Sequence, residues 1–441
     1  MLINEHMYVN IFILKHMFEV IKLKPVDYDN LPHQNILCVD MQSFFASIEA
    51  VSRGLDPVET PLAVLGDKKR SGSVVLAASP ALKNRYSIKT ADRFYQIPND
   101  PNIKLVEARM GLYVRISLEI TELFNNYVPL NAIHVYSIDE SWLKLDGTER
   151  LFGDKWKVAR MIKKDLLQKY GLNCSMALGP NMFLAKVAMD NEGKKKGLVE
   201  WTYDDVEDKL WPLPLKKCWG IGGRLTKHFH KLGVKTVGDL AHLPLEYLEN
   251  KFGVMGTQLY YHAWGVDLSK VEGHYQDERK NLGRGITLYS DYKDREKIKT
   301  VIFELAEEVG KRARQRSLTG KTISLGLVYS KEELESGFHV QRTIDTYTNL
   351  TTVIFDTAVV LFNENYRDQA VRKVRVSLGN FSNKANMQLN IFDNRAKEMK
   401  LMQVKDQLQD KYGYQALYYG RSTKPGSIKE RIKTTIGGHK A

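Results

Sequence analysis

Three carboxylates frame the chemistry open to this chain. Tyr136-Ser137-Ile138-Asp139-Glu140-Ser141 sets two adjacent acids at the tip of an apolar strand, and about a hundred residues earlier the strand Asn35-Ile-Leu-Cys-Val39 runs into Asp40. Brought together, Asp40, Asp139 and Glu140 form a cage for divalent cations and triphosphate oxygens. Two such cations about 3.5 to 4 Å apart lower the pKa of an attacking hydroxyl and neutralise the leaving group of an in-line phosphoryl displacement, which is polymerase chemistry. Magnesium takes a few carboxylates plus phosphate oxygens and water, the hard donor set offered here, and the backbone carbonyl of Met41 adds a further oxygen. Alone, an Asp-Glu pair is usually a solvated turn. Its neighbours must decide.

Phe44-Phe45 opens the helix that follows Asp40. A ring there, held against the sugar of a bound nucleotide, clashes with a 2′-hydroxyl, so Phe45 is a candidate for excluding ribonucleotides; core packing is the plain alternative. Lys186, in Phe183-Leu-Ala-Lys-Val-Ala-Met189, is a lone cation on an apolar helix face. It either snorkels to water or meets a triphosphate. Lys216 to Lys235 carries six Lys and Arg and no acid around Gly220-Ile221-Gly222. That turn, beside a helix N-terminus, offers backbone amides to a DNA phosphate without reading sequence, and Lys227 lies just beyond it. Lys311, Arg312, Arg314, Arg316 and Lys321 make a second cationic stripe suited to backbone contacts.

The elements that must position these groups follow from pattern. Asn35 to Asp40 reads as a buried strand, and Ser43 to Val51 as a helix with Phe44, Ile48 and Val51 on one face, so Asp40 sits at a strand-to-helix junction. Residues 61 to 98 form a small inserted subdomain of two strands and a basic helix. Residues 112 to 127 and 154 to 170 are helical by period, and Ile133 to Leu145 is a hairpin centred on the acids. Trp211-Pro-Leu-Pro-Leu215 marks a linker into a compact helical stretch that runs to about Asp267. Beyond Gly273, strands at 285 to 288, 322 to 328 and 371 to 378 with helices at 297 to 316 and 351 to 363 predict a separate α+β domain. The polar tail beyond Asp393 is helical only weakly.

Length and composition agree with a multidomain globular protein. The 441 residues are 43% hydrophobic, enough for more than one core, and the net charge of +13 is spread along the chain, as a polyanion-binding surface requires. A solvated basic surface is the plain alternative. Cys38, Cys174 and Cys218 lie far apart with neither pairing nor metal-ligand spacing, which predicts a reducing cytoplasm and no structural zinc. No apolar run reaches a membrane span, and Met1 to Lys24 is interrupted by charge, so residues 1 to 32 read as an extension rather than a secretory signal.

Five ordered motifs give the chain a family likeness. Val39-Asp-Met-Gln-Ser-Phe-Phe-Ala-Ser-Ile-Glu49, Tyr136-Ser-Ile-Asp-Glu140, Ala185-Lys-Val-Ala188, the glycine hairpin with Thr236-Val-Gly-Asp-Leu240, and Arg284-Gly-Ile-Thr-Leu288 resemble the Y-family translesion DNA polymerases, nearest the UmuC-like proteins of Gram-positive bacteria and their phages and plasmids. The resemblance covers residues 35 to about 441 and implies an α+β right hand. Its parts are a palm (33 to 210) with small fingers inserted at about 53 to 101, a helix-hairpin-helix thumb (211 to 270), a little finger (280 to 385) and a C-terminal tail (386 to 441).

Carried over by position, Asp40, Asp139 and Glu140 hold two magnesium ions with Met41, Phe44 and Phe45 face the nucleotide with Phe45 as steric gate, and Lys186 reaches the triphosphate. In the fingers this chain is one residue longer before Tyr86, and Ser79 and Lys83 are the candidates for the phosphates, with Asn84 or Arg85 as alternatives. Gly220, Gly222, Lys227, Arg284, Arg312 and Arg314 are the expected DNA contacts. Gln388-Leu389-Asn390-Ile391-Phe392 is similar to the peptide by which bacterial polymerases dock on the sliding clamp, with Leu389 and Phe392 as anchors and Ile391 between them. The implied partners are primer-template DNA, dNTPs, the clamp and accessory mutagenesis proteins, with no membrane. The implied activity is template-directed, error-prone translesion synthesis. Its rivals are a non-catalytic helix-hairpin-helix repair accessory protein and a nucleotide cyclase on a palm-like sheet.

Overall fold

Why Asp40 ends up beside the second acidic pair is visible in the strand order. The structure, a computed structural model, describes residues 26–272, 280–383, 395–413, 416–430, 435–436 and 439–440. The chain divides into two compact units, residues 1–276 and 277–441.

In the first unit, β1 (Ile36–Met41) leads into α1 (Phe44–Val51). Next come β2 (Leu62–Leu65), β3 (Val75–Ala78), α2 (Pro80–Tyr86), β4 (Lys104–Glu107) and the long α3 (Met110–Asn125). The hairpin of β5 (Ile133–Val135) and β6 (Glu140–Lys144) is followed by α4 (Lys155–Tyr170), β7 (Cys174–Gly179), α5 (Met182–Ala188) and β8 (Leu198–Glu200). The palm sheet runs β5-β6-β1-β7-β8, with β1 antiparallel to both neighbours. Because β1 lies in the middle, successive side chains feed opposite cores. Leu37 and Val39 pack with Tyr113, Phe124 and Ile162, and Ile36 and Cys38 pack with Phe183, Phe229 and Trp264.

The fingers are a separate three-stranded sheet, β3-β2-β4, with its own small core around Leu65, Val75 and Leu82. Their third strand, Lys104–Glu107, pairs in parallel with β2 and lies past the expected end at 101.

The helical stretch comprises α6 (Gly223–Lys231), α7 (Val237–Ala241), α8 (Leu245–Phe252) and α9 (Val254–Ala263). Trp211, at the expected entry to this stretch, packs into it. Its indole donates to the Ala263 carbonyl at 3.0 Å, its ring meets Trp264 edge-on, and the helices share one core with a face of the palm. α8 and α9 cross so closely that a Cβ on Gly256 would stand 1.9 Å from the Leu248 carbonyl oxygen, so only glycine fits.

The second unit is an antiparallel sheet ordered β11-β10-β12-β9, built from β9 (Asn281–Tyr292), β10 (Leu318–Tyr329), β11 (Gly337–Thr348) and β12 (Val371–Asn383). Helices α10 (Arg295–Gln315) and α11 (Thr351–Asn365) cover one face, meeting Ile323, Leu325 and Leu327 of β10 and Val374, Val376 and Leu378 of β12. Edge strand β11 escaped the pattern reading because Arg342 interrupts the apolar series Phe338, Val340, Ile344. The weakly helical tail is corrected outright: residues Arg395–Tyr412 form an 18-residue helix, α12.

Candidate active site

Backbone pairing places the acids. Asp40 lies opposite Glu140 in the β1–β6 ladder, and the Met41 amide donates to the Asp139 carbonyl at 2.9 Å. Residues paired directly across an antiparallel ladder project to the same face, so Asp40 and Glu140 are neighbours by construction. Asp139, in the turn before β6, shares with Asp40 the wall of a cavity of about 570 Å³. Ser137 fixes it, its hydroxyl donating to Asp139 Oδ1 at 2.6 Å.

Two lysines hold this acidic corner. α5 runs on through one wide π-helical turn, Met189–Gly193, into Lys194–Lys196, and Lys186, Asp190 and Lys194 fall at successive four-residue steps. Lys186 Nζ, buried, lies 2.6 Å from Glu140 Oε1 and 3.0 Å from Asp190 Oδ2. Lys194 Nζ lies 3.3 Å from Asp40 Oδ2 and 2.6 Å from Asp190 Oδ1. Burial lifts the Asp40 carboxyl above the ordinary range against the opposing pull of Lys194 and Lys186. Burial alone would lower Lys186, but the hydrogen bond to Glu140 and the nearby negative charges carry it above the ordinary lysine range, so it stays charged. Among the described residues no three His, Cys, Asp or Glu side chains gather into a closed metal cage. The donor set nevertheless suits a hard cation, since Asp40 and Asp139 open carboxylates onto one cavity and Glu140 stands behind them on Lys186.

The same cavity is lined by Met41, Phe44, Phe45, Lys83, Asn84 and Lys194. Phe45 stacks on Tyr113 with ring centroids 4.4 Å apart and planes 14° from parallel, an arrangement worth about 1 kcal/mol beyond its burial. Tyr113 donates to the fully buried Glu49 at 2.7 Å, and Arg109 forks onto the same carboxylate with both bonds at 2.9 Å. The Phe45 ring is thus mounted on a hydrogen-bonded frame. Lys83 reaches across from the fingers and donates to Ser43 Oγ at 2.8 Å. Ser43 has φ +47°, a left-handed conformation rare for serine and costing on the order of 1 kcal/mol, at the junction between Asp40 and Phe45.

Three sequence expectations move. Ser79 is buried as the N-cap of α2, its hydroxyl donating to the Thr60 carbonyl at 2.7 Å and accepting from the amides of Leu62 and Leu82, which leaves nothing for a phosphate. Lys186 is spent on Glu140 and Asp190, and Lys194 is the cation of that helix that lines the cavity. The Lys-x-x-x-Asp-x-x-x-Lys spacing of 186, 190 and 194 was the available signal. Arg314 forks onto Asp406 of α12 at 2.6 and 3.2 Å, with its side chain 9% exposed, so it leaves the set of DNA contacts. Arg312 pairs with Glu308 on its own helix and is one-third exposed. Arg85, bonded to Glu59 at 2.6 Å, is absent from the cavity wall.

The hairpin is as its glycines require. Gly220 has φ +89° with open space where a Cβ would point, and Gly222 caps α6, on which Lys227 is exposed. Arg284 lies half-buried on β9, paired with Val376 across the ladder. Residues 388–392 fall outside the described residues.

Comparison with known proteins gives concordant matches. Residues 39–190 match the impB/mucB/samB family, residues 203–234 the IMS family HHH motif, and residues 279–391 the impB/mucB/samB family C-terminal domain. A Bacillus subtilis protein that carries a UV-damage repair name, UvrX, is 46% identical over 420 residues, covering 94% of this chain and all of its own. A DNA polymerase IV 2 of Halalkalibacterium halodurans is 35% identical over 92% of this chain and 98% of its own. Among solved structures, a Y-family DNA polymerase chimera superposes with a TM-score of 0.64 over 81% of this chain and 100% of its own, at 23% identity.

Proposed function

We infer that this chain, which belongs to the UmuC-like Y family of DNA polymerases, the impB/mucB/samB family, is a template-directed DNA polymerase that performs translesion synthesis in DNA repair. The reading rests on one observation: Asp40 and Asp139 open onto a single cavity whose wall also carries the stacked Phe45 and the lysines Lys83 and Lys194. The reaction extends a primer 3′-hydroxyl by attack on the α-phosphate of a dNTP and releases pyrophosphate. Divalent cations, two magnesium ions in our reading, held by Asp40, Asp139, Glu140 and the Met41 carbonyl, would activate that hydroxyl and neutralise the leaving group.

The chain's own residues bind and orient. Burial raises the Glu140 carboxyl above its ordinary range and the paired Lys186 opposes that rise, and Lys194 and Lys83 face the triphosphate as charge-assisted donors. Phe45, flat on Tyr113, meets the sugar and rejects a 2′-hydroxyl. The amides of Gly220 to Gly222 with Lys227, Arg284 and Arg312 grip the DNA backbone without reading its sequence. The segment 388–392 docks on the sliding clamp, a role its sequence alone supports. Most of the rate enhancement comes from positioning and from charges fixed in advance.

The three cysteines are free and buried, in keeping with a reducing, cytoplasmic setting, and no helix among the described residues is long and apolar enough to cross a membrane.

Primer extension with magnesium, alongside Asp139→Ala, tests the reading. The substitution lowers the extension rate by roughly a thousandfold, the equivalent of ~4 kcal/mol of lost charge stabilisation. DNA binding without extension by either protein would identify the accessory protein instead.

A further inference from the structure

Helix α12 is built inside out. Its inner side is polar: Lys405 meets the buried Glu307 of α10, Asp406 takes Arg314, Asp410 takes Lys311 at 2.8 Å, and Gln409 donates to the Leu417 carbonyl at 3.0 Å. Lys429 reaches the other oxygen of Glu307 at 2.8 Å, so one buried carboxylate fastens both the helix and the segment after it. Its outer side is apolar: Leu401, Val404, Leu408 and Tyr412 are 61%, 51%, 37% and 64% exposed. Their spacings of three, four and four residues make one continuous stripe along the helix. Scattered exposed apolar residues are ordinary, whereas a helical seam turned outward over ion pairs turned inward is not what solvent alone selects. The inward contacts that hold the helix, these ion pairs and the buried Met402 against Thr351, do not use the stripe.

The charges around the stripe say what covers it. Lys397, Lys400 and Lys411 stand two turns before, one turn before and two turns after Val404, on the same side. All three acids of the helix point elsewhere, Glu398 to the Thr352 hydroxyl, Asp406 to Arg314 and Asp410 to Lys311. A second copy of this chain would bring lysine against lysine, in a protein already at +13. We propose that the outer face of α12, Leu401, Val404, Leu408 and Tyr412 with its lysine border, is a docking seam for an acidic amphipathic helix of a partner protein. Apolar anchors in the seam give affinity, and the lysines select orientation and steer approach.

The test uses the full chain and two synthetic amphipathic peptides with the same leucine seam, one flanked by glutamates and one by lysines, followed by fluorescence anisotropy. The glutamate peptide binds saturably and the lysine peptide does not. Val404→Lys with Leu408→Lys weakens binding at least tenfold while primer extension stays unchanged. Lys397→Glu with Lys400→Glu and Lys411→Glu transfers preference to the lysine peptide. Equal binding of both peptides, or full binding by the Val404/Leu408 variant, overturns the proposal. So does a concentration-dependent dimer lost in that variant, which assigns the face to a second copy. A drop in its melting temperature also overturns it, because the stripe would then pack within the chain itself.

Discussion

Two charged clusters of this molecule, one half-open and one closed, behave differently. In the palm, Asp40, Asp139, Lys194 and Lys83 surround open space of about 570 Å³, and two of the four, Asp40 and Lys194, answer each other across 3.3 Å. Between α10 and α12, Glu307, Lys405, Lys429, Arg314 and Asp406 close on one another, with side chains between 2% and 12% exposed. Asp40 in the first set and every member of the second carry the cost of desolvation. Between α10 and α12 that cost is offset by mutual pairing, and the result is a fastening. In the palm the pairing is partial and leaves the cavity open beside it. Open volume beside paired charge marks a site; paired charge without it marks structure.

Breaking the closed cluster between α10 and α12 should produce the largest effect on folding. Glu307→Ala leaves two buried lysines without their shared carboxylate and costs about 3 to 5 kcal/mol, read as a fall in the denaturant midpoint of the second unit, with extension per folded molecule preserved. An unchanged midpoint would erase the distinction between the two regions. Next, Phe45→Ala admits ribonucleotides, lowering the dNTP-over-rNTP ratio of kcat/KM roughly a hundredfold, as expected when a wall that excludes one hydroxyl is removed. A ratio that stays put removes Phe45 from the gate.

The smallest effect comes from Lys194→Gln, which raises KM for the nucleotide about tenfold by deleting one charge-assisted contact. It also has a pH signature. Burial raises the Asp40 carboxyl, so in the metal-free chain the acid limb of its titration, followed by carboxyl NMR, lies above that of an ordinary carboxylate, the ionised form present above it and lost as pH falls through it. Removing Lys194, which pulls Asp40 down, moves that limb to higher pH. A limb that stays still would mean the lysine acts on the triphosphate alone.

Much of this was legible in the chain. The strand ending in Asp40, the hairpin on Asp139 and Glu140, the Phe45 position and the Gly220 turn each follow from local rules that need only a few neighbouring residues. What a side chain meets across the fold is another matter. Ser79 reads as a phosphate ligand until the cap it makes is seen, Arg314 as a DNA contact until Asp406 takes it, and Lys186 as the cation for a triphosphate until Glu140 and Asp190 take it and Lys194, past the π-helical turn, lines the cavity.

By itself the sequence determined which residues could do chemistry, because periodicity, turn glycines and carboxylate placement are local properties of the chain. Only the tertiary structure decided which of those charges remain open to a ligand. Partners such as Asp406 lie about ninety residues from the groups they neutralise, and pairing over such distances leaves no local pattern.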